Sequence, residues 1–236
     1  MRVKKILKKL ILKEKASSEE YISFLRNKGM KIGDNCTIYW PQTTRIDYQN
    51  PYMVTIGNNV KITEGVRILT HDYSMSVMSS VNGDIVGSVK GVVIGNNVFI
   101  GIGATILAGT QIEDNVIIGA GSIVSGTCKE NSVYAGVPAK RICSLEELYI
   151  KRKKQERESA KEVALQYYER THKKPNEKVL REYLMLFNRR DNIPLELEKL
   201  MRDSGNYELC RRYFYGEQPQ FNGLDDFLKW CGIIDR

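Results

Sequence analysis

Aliphatic residues recur every six positions through the middle of this chain, at Ile94, Ile100, Ile106, Ile112, Ile118 and Val124. Four residues after each stands a small or medium side chain: Val98, Ala104, Thr110, Val116, Ser122 and Cys128. The same spacing occurs upstream at Ile32 and Ile38, then at Ile56, Ile62 and Ile68, and the eighteen residues from Ile38 to Ile56 read as three further periods. Six matches neither the 3.6 of a helix nor the 2 of a simple strand. It suits a short strand followed by a tight corner. Three such units close a triangular coil of eighteen residues with the aliphatic side chains inside, and successive coils stack as parallel strands that bury one another's apolar edges. Over residues 31–143 this predicts about six coils, a prism roughly 30 Å long at ~4.8 Å per strand. Gly57-Asn58-Asn59 and Gly95-Asn96-Asn97 supply corner residues that tolerate left-handed backbone angles. The spacing leaves the hand of the coil open, because ordinary parallel crossovers are right-handed.

The phase slips once, between Ile68 and Ile94, and the intervening HDYSMSVMSSVNGDIVGSVKG is rich in Ser, Gly and Asn. It reads as a loop thrown out of the prism from His71 to about Gly91. Loops of this length in compact folds are usually functional.

The flanks differ from the repeat. The net charge of +8 invites a nucleic-acid reading until it is divided. Residues 31–143 hold eight basic and eight acidic residues, and residues 1–30 hold nine and three. The excess therefore belongs to the N-terminal segment and not to a face of the main body, which argues against nucleic acid as a partner. Within that segment Val3, Ile6, Leu7, Leu10 and Ile11 keep helical spacing with lysines mostly opposite. A basic amphipathic helix over residues 1–13 has two outlets, the anionic inner face of a membrane or packing on an oligomer. A second helix starts at Ser17 or Ser18 and stops at Gly29. Residues 144–236 read as helical: a long helix over SLEELYIKRKKQERESAKEVALQYYER, then NEKVLREYLMLFNRR and PLELEKLMRDSGNYELCRRYFYG. The expected organisation is N-terminal helices over 1–30, a repeat domain over 31–143 and an α-helical extension over 144–236. No apolar run approaches the ~20 residues that span a bilayer. The N-terminus lacks the apolar region and cleavage site of a signal peptide. The five scattered cysteines contain no CxxC pair, which fits a reducing cytoplasm.

The run IGNNVFIGIGATILAGTQIEDNVIIGAGSIVSGTCKENSVYAGVPAKR, from Ile94 to Arg141, resembles the hexapeptide-repeat acyltransferases, with IGAGSIV and AGVPAK its most specific parts. Upstream, IDYQNPYMVTIGNNVKITEGVRILTHDYS resembles the branch of that superfamily that O-acetylates sugars and capsular polysaccharides. The likeness covers about residues 20–143. It implies a mainly β fold, a left-handed parallel β-helix, assembled as a homotrimer with active sites between subunits. It also implies acetyl-CoA as donor and a sugar or glycan hydroxyl as acceptor. A left-handed β-helix can also carry a zinc carbonic anhydrase site, but that needs three histidines per metal, and the chain has only His71 and His172. No metal is therefore expected.

THDYS matches the family's catalytic motif, which makes His71 the expected general base. An imidazole ionises close to working pH, so it can take the acceptor's proton as the hydroxyl attacks the thioester and return it to the leaving thiolate. No covalent enzyme intermediate is needed. The group that orients the imidazole is left open between Asp47 and a backbone carbonyl, Asp72 being adjacent in sequence but inclined to point elsewhere. Arg45, Asp47, Tyr48 and Asp72 are the candidate acceptor-side residues. By the resemblance, the donor's pantetheine arm lies along Gly101, Ile102, Ala120, Ser125 and Gly126, with Lys140 and Arg141 for the CoA phosphates. Many relatives have Thr-Lys where this chain has Ser125-Gly126, which puts one contact to the adenine end in doubt. His172, in a Lys-rich linker, is expected to be merely solvated.

Overall fold

A computed structural model describes residues 11–234. The amphipathic segment expected over residues 1–13 therefore lies, but for its last three residues, outside the described residues. The chain divides into two compact units, one running to Leu148 and one from Tyr149.

The first unit is a left-handed parallel β-helix. Its strands are β1 (Lys31–Ile32), β2 (Thr37–Ile38), β3 (Arg45–Ile46), β4 (Val54–Ile56), β5 (Lys61–Ile62), β6 (Arg67–Ile68), β7 (Val92–Ile94), β8 (Phe99–Ile100), β9 (Thr105–Ile106), β10 (Gln111–Ile112), β11 (Val116–Ile118), β12 (Ile123–Val124), β13 (Thr127–Cys128), β14 (Ser132–Ala135) and β15 (Lys140–Ser144). They stack into three faces: β1-β4-β7-β10-β13, then β2-β5-β8-β11-β14 with β15 at its edge, and β3-β6-β9-β12. Every pairing is parallel except β14 with β15, where the chain turns back. Strands of two to five residues carry little pairing of their own, so stability comes from the stacked core. The aliphatic column of each face is sealed, as at Ile56, Ile62, Ile68, Ile94, Ile100 and Ile106, and a second column of Val60, Val66, Val98 and Ala104 fills the corners.

The corners follow from backbone chemistry. Between the first and second faces, Asn35, Asn59, Asn97, Asn115 and Asn131 all adopt φ of 53–57°, a conformation asparagine tolerates better than other side chains. Their amides form a ladder, with Nδ2 of Asn59 donating to Asn97, Asn97 to Asn115 and Asn115 to Asn131 at 2.8–3.0 Å. Between the second and third faces, Gly65, Gly103 and Gly121 take the same role at φ of +67° to +70°.

Three expectations change. The prism has four complete coils and two strands of a fifth, not six coils, so its first face spans only ~19 Å at ~4.8 Å per step. Ile32 pairs with Ile56 and Ile38 with Ile62, while Ile46 pairs with Ile68. Between Ile38 and Ile56 there is thus one intervening face, centred on Ile46, and the multiple of six was a coincidence of two long corners. Residues 39–44 and 47–53 enlarge those corners, the second through a 3-10 turn at Pro51–Met53. At the other end Cys128 stands in the aliphatic column, paired with Ile112, because the last corner is two residues short.

Before the prism lies helix α1 (Ser18–Asn27), whose cap Ser17 accepts from Glu20 N. Tyr21, Ile22 and Leu25 of α1 join the prism's core cluster. The insertion after β6 is not a featureless loop. It contains α2 (Met75–Asn82), closed by Gly83 at φ +73°. Its two ends are pinned together by an antiparallel bridge between His71 and Val89 and by Lys90 N donating to Thr70 O at 2.9 Å.

The second unit is helical. The division falls within α3 (Leu145–Thr171). A reciprocal capping box starts that helix: Ser144 N donates to Glu147 Oε2 at 2.6 Å and Glu147 N to Ser144 Oγ at 3.0 Å. The helix expected over 176–190 is reduced to a 3-10 turn at Arg181–Tyr183 and the four-residue α4 (Leu184–Phe187). Asn176 Oδ1 takes the N–H groups of Lys178 and Val179 into a turn instead. Next come α5 (Leu195–Asp203), α6 (Tyr207–Gly216) and α7 (Leu224–Cys231), the last not foreseen. The core of this unit includes an aromatic cluster: Phe187, Phe221 and Trp230 surround Phe227 at ring distances of 5.2–6.0 Å. His172 is exposed and ends α3 at φ 54°.

Candidate active site

The corner between the third and first faces is the one that departs most from the repeat. Its coils pass through residues 47–53, then through the 71–91 insertion, then Leu107–Gly109 and Ser125-Gly126. Parallel pairing of β3 with β6 brings Ile46 level with Ile68. The residues that follow each strand are therefore stacked as well, with Asp47 one coil below Leu69, Thr70 and His71. Twenty-four positions apart in sequence, Asp47 and His71 meet because of this register.

His71 Nδ1 lies 2.6 Å from Asp47 Oδ2. The same oxygen accepts from Thr70 Oγ1 at 2.5 Å and from Thr70 N at 3.2 Å, while Asp47 Oδ1 accepts from Gln49 N at 3.0 Å. Burial works to raise the Asp47 carboxyl, but the four hydrogen bonds outweigh it, led by the Thr70 hydroxyl, and hold it below the usual carboxylate range. An ionised carboxylate only accepts, so the proton on the facing imidazole nitrogen is Nδ1–H and Nε2 keeps its lone pair. The Asp47 side chain is 10% exposed and that of His71 29%. The carboxylate is sealed while the imidazole reaches solvent. A partly exposed imidazole oriented from behind by an anion is an arrangement suited to general base catalysis.

The other residues expected on the acceptor side have contacts of their own. Arg45 is exposed on β3 and pairs across strands with the exposed Arg67 of β6. Tyr48 stands edge-on to Phe24 of α1 at 5.6 Å while remaining half-exposed. Asp72 makes no hydrogen bond to the imidazole: its Oδ1 accepts from Ser74 N at 2.8 Å, which closes the turn leading into α2, and the Ser74 hydroxyl together with that N–H keeps the carboxyl low. Thr70 and Arg67 were not singled out in the sequence. The signal for Thr70 was its place beside His71, but its link to Asp47 depends on the stacking register.

The expected donor residues divide between two edges of the prism. Gly101, Ile102 and Ala120 lie at the corner between the second and third faces, where Gly121 N donates to Ile102 O at 2.7 Å. A Cβ on Gly101 would sit 2.5 Å from Ala120 N, and Ile102 is 59% exposed. Ser125 and Gly126 lie instead at the corner that carries His71, two coils further on. Lys140 and Arg141 begin β15 in the returning hairpin, both exposed, with Arg141 Nε bonded to Ser132 Oγ at 3.2 Å. Among the described residues no three His, Cys, Asp or Glu side chains are grouped as metal ligands would be.

Residues 91–126 match the family model described as bacterial transferase hexapeptide (six repeats). Protein CapG of Staphylococcus aureus is 38% identical over 142 residues, which cover 59% of this chain and 80% of that protein. Galactoside O-acetyltransferase of Escherichia coli K12 is 36% identical over 129 residues, 55% of this chain and 61% of that one. Among solved structures, a maltose O-acetyltransferase from Clostridium difficile 630 is 28% identical, covering 53% of this chain and 75% of its own, with a TM-score of 0.43. With the coils themselves matched and the staphylococcal relative spanned over four-fifths of its length, the chain belongs to the bacterial hexapeptide-repeat transferase family.

Proposed function

We propose that this protein transfers the acetyl group of acetyl-CoA to a hydroxyl of a sugar or surface-polysaccharide precursor, with His71 as general base. The observation that carries the reading is the sealed Asp47 carboxylate on Nδ1 of an imidazole whose other face is open. In the reaction, Nε2 takes the hydroxyl proton as the acceptor oxygen attacks the thioester carbon. The C–O bond forms, the C–S bond breaks, and the thiolate leaves with the proton from Nε2. Asp47 stabilises the imidazolium between those two events.

The two sets of donor residues support a donor groove formed where two copies of the prism meet, within a homotrimer. Gly101, Ile102 and Ala120 of one copy and Ser125 and Gly126 of another would line it, with Lys140 and Arg141 toward the phosphates. On the acceptor side, the Arg45–Arg67 column stands on the face that ends at Asp47 and suits the hydroxyls and anionic groups of a glycan. Tyr48 offers a half-exposed ring beside it. Acetyl-CoA and glycan precursors meet in the cytoplasm. No helix among the described residues is long and apolar enough to cross a membrane; a peripheral contact through residues 1–13 would not require one.

The test is thiol release from acetyl-CoA across a panel of sugar, amino-sugar and serine acceptors, for wild type and His71→Ala. Acceptor-dependent release that drops ~10²-fold or more in the variant, the scale of a lost general base, is the expected result. Retention on CoA-agarose without release would mean that the acceptor is outside the panel. Neither release nor retention would leave a non-catalytic scaffold.

A further inference from the structure

Asp47 Oδ2 is shared. His71 Nδ1–H approaches it at 2.6 Å, and the Thr70 hydroxyl approaches the same oxygen at 2.5 Å. Thr70 is fully buried, and its hydroxyl has no other bond among those described. A threonine at the residue before the insertion has no packing reason to be threonine, because valine has nearly the same shape. Elsewhere in the prism the buried Thr110 hydroxyl has a backbone use, donating to Val124 O at 3.1 Å. Thr70 spends its proton on the carboxylate instead.

We propose that Thr70 is a positioning residue that acts through Asp47: its hydroxyl fixes Oδ2 on the imidazole and withdraws part of the charge that Oδ2 presents to Nδ1–H. This rests on the reading of His71 as the base. A carboxylate oxygen has limited acceptor capacity, and each donor weakens its pull on the others. With the hydroxyl in place, the imidazole is oriented by a carboxylate oxygen that presents less charge to it. Of the charged groups on the neighbouring segments, Asp72 interacts with the imidazole, while Lys90 closes the insertion and Arg45 and Arg67 stand on β3 and β6. Replacing Thr70 by valine changes none of them. It also leaves the Thr70 N–H and Gln49 N–H bonds to Asp47, so the carboxylate loses one anchor without being released from the imidazole.

The experiment titrates the imidazoles by NMR in wild type, Thr70→Val and Thr70→Ser. Only two histidines contribute, and His71→Ala assigns them. The expected result is that the His71 midpoint in Thr70→Val rises by about half a pH unit, that Thr70→Ser stays with wild type, and that His172 does not move. Acetyl transfer follows the same pattern. Thr70→Val loses about 3-fold in kcat/KM on the acid side of the profile, the factor corresponding to half a unit, and recovers wild-type rates above the midpoint. A merely structural threonine would lower the rate at every pH and leave the midpoint alone. An unmoved or lowered midpoint in a folded Thr70→Val protein overturns the proposal. Since the titration needs no substrate, a raised midpoint in a protein that transfers no acetyl group would sustain the coupling and sink the acyltransferase reading separately.

Discussion

Asp47 takes four hydrogen bonds on two oxygens, and its replacement separates orientation from charge. In Asp47→Asn the side chain keeps its shape, but one arm becomes a donor and the preference for Nδ1–H on His71 is lost. Acetyl transfer is expected to fall at least about tenfold, short of the ~10²–10⁴ carried by the base itself, with the acceptor KM little changed because no substrate contact is removed. Stability has its own signature. The Asp47 carboxyl is held low in the folded state, so its contribution is present above the unfolded value near ~3.9 and is lost as pH falls through the folded value. Acid unfolding of Asp47→Asn should therefore be shallower below about pH 4 than that of wild type, a comparison that circular dichroism makes directly. A variant with unchanged transfer across pH would remove Asp47 from the mechanism.

At the scale of elements, the repeat carried most of the fold in plain view. A six-residue period puts Ile94 through Val124 on the correct faces, because nothing interrupts the coils there. It misled where the corners swell: Ile46 is as deeply buried as Ile38 and Ile56 yet sits out of phase with both, and only the strand register reveals it. The site shows the same division. THDYS draws attention to His71, but the carboxylate that bonds it lies a coil away at a separation no fixed period encodes, and the residues proposed for the donor could not be assigned to edges before the coils were counted. Gly101 illustrates how a residue read as a ligand contact also has a packing duty. With Ala120 N 2.5 Å and Gly119 C 2.8 Å from where a Cβ would stand, both of them backbone atoms, Gly101→Ala must push neighbouring coils apart. A loss of about 1–3 kcal/mol is expected, read as a lower urea midpoint at unchanged slope. If Gly101→Ala instead keeps wild-type stability and loses only CoA affinity, the glycine serves the donor alone.

Across the whole molecule, the two units keep separate cores, one of stacked aliphatic columns and one built around Phe227. They are built on different physics. The β-helix gains its stability from neighbour to neighbour along the stack, so damage at one coil is passed to the next. The helical unit has a single core of aliphatic and aromatic side chains, in which Phe187, Phe221 and Trp230 all pack on Phe227. Arg157 and Lys161 of α3 lie over the Trp230 ring at 5.0 and 4.7 Å, so loosening the cluster also releases the helix that frames it. Phe227→Ala should cost the helical unit about 3–5 kcal/mol. Hydrogen exchange on the full chain reads the consequence, because local stability differs between cooperative units. Protection should collapse in α5, α6, α7 and the stretch of α3 beyond Tyr149, while the amides of β4 to β12 keep their wild-type rates. Equal loss in both would mean that the cores unfold as one. Acetyl transfer to a small sugar, which calls only on residues of the prism, should then survive Phe227→Ala at temperatures where the helical unit is already open.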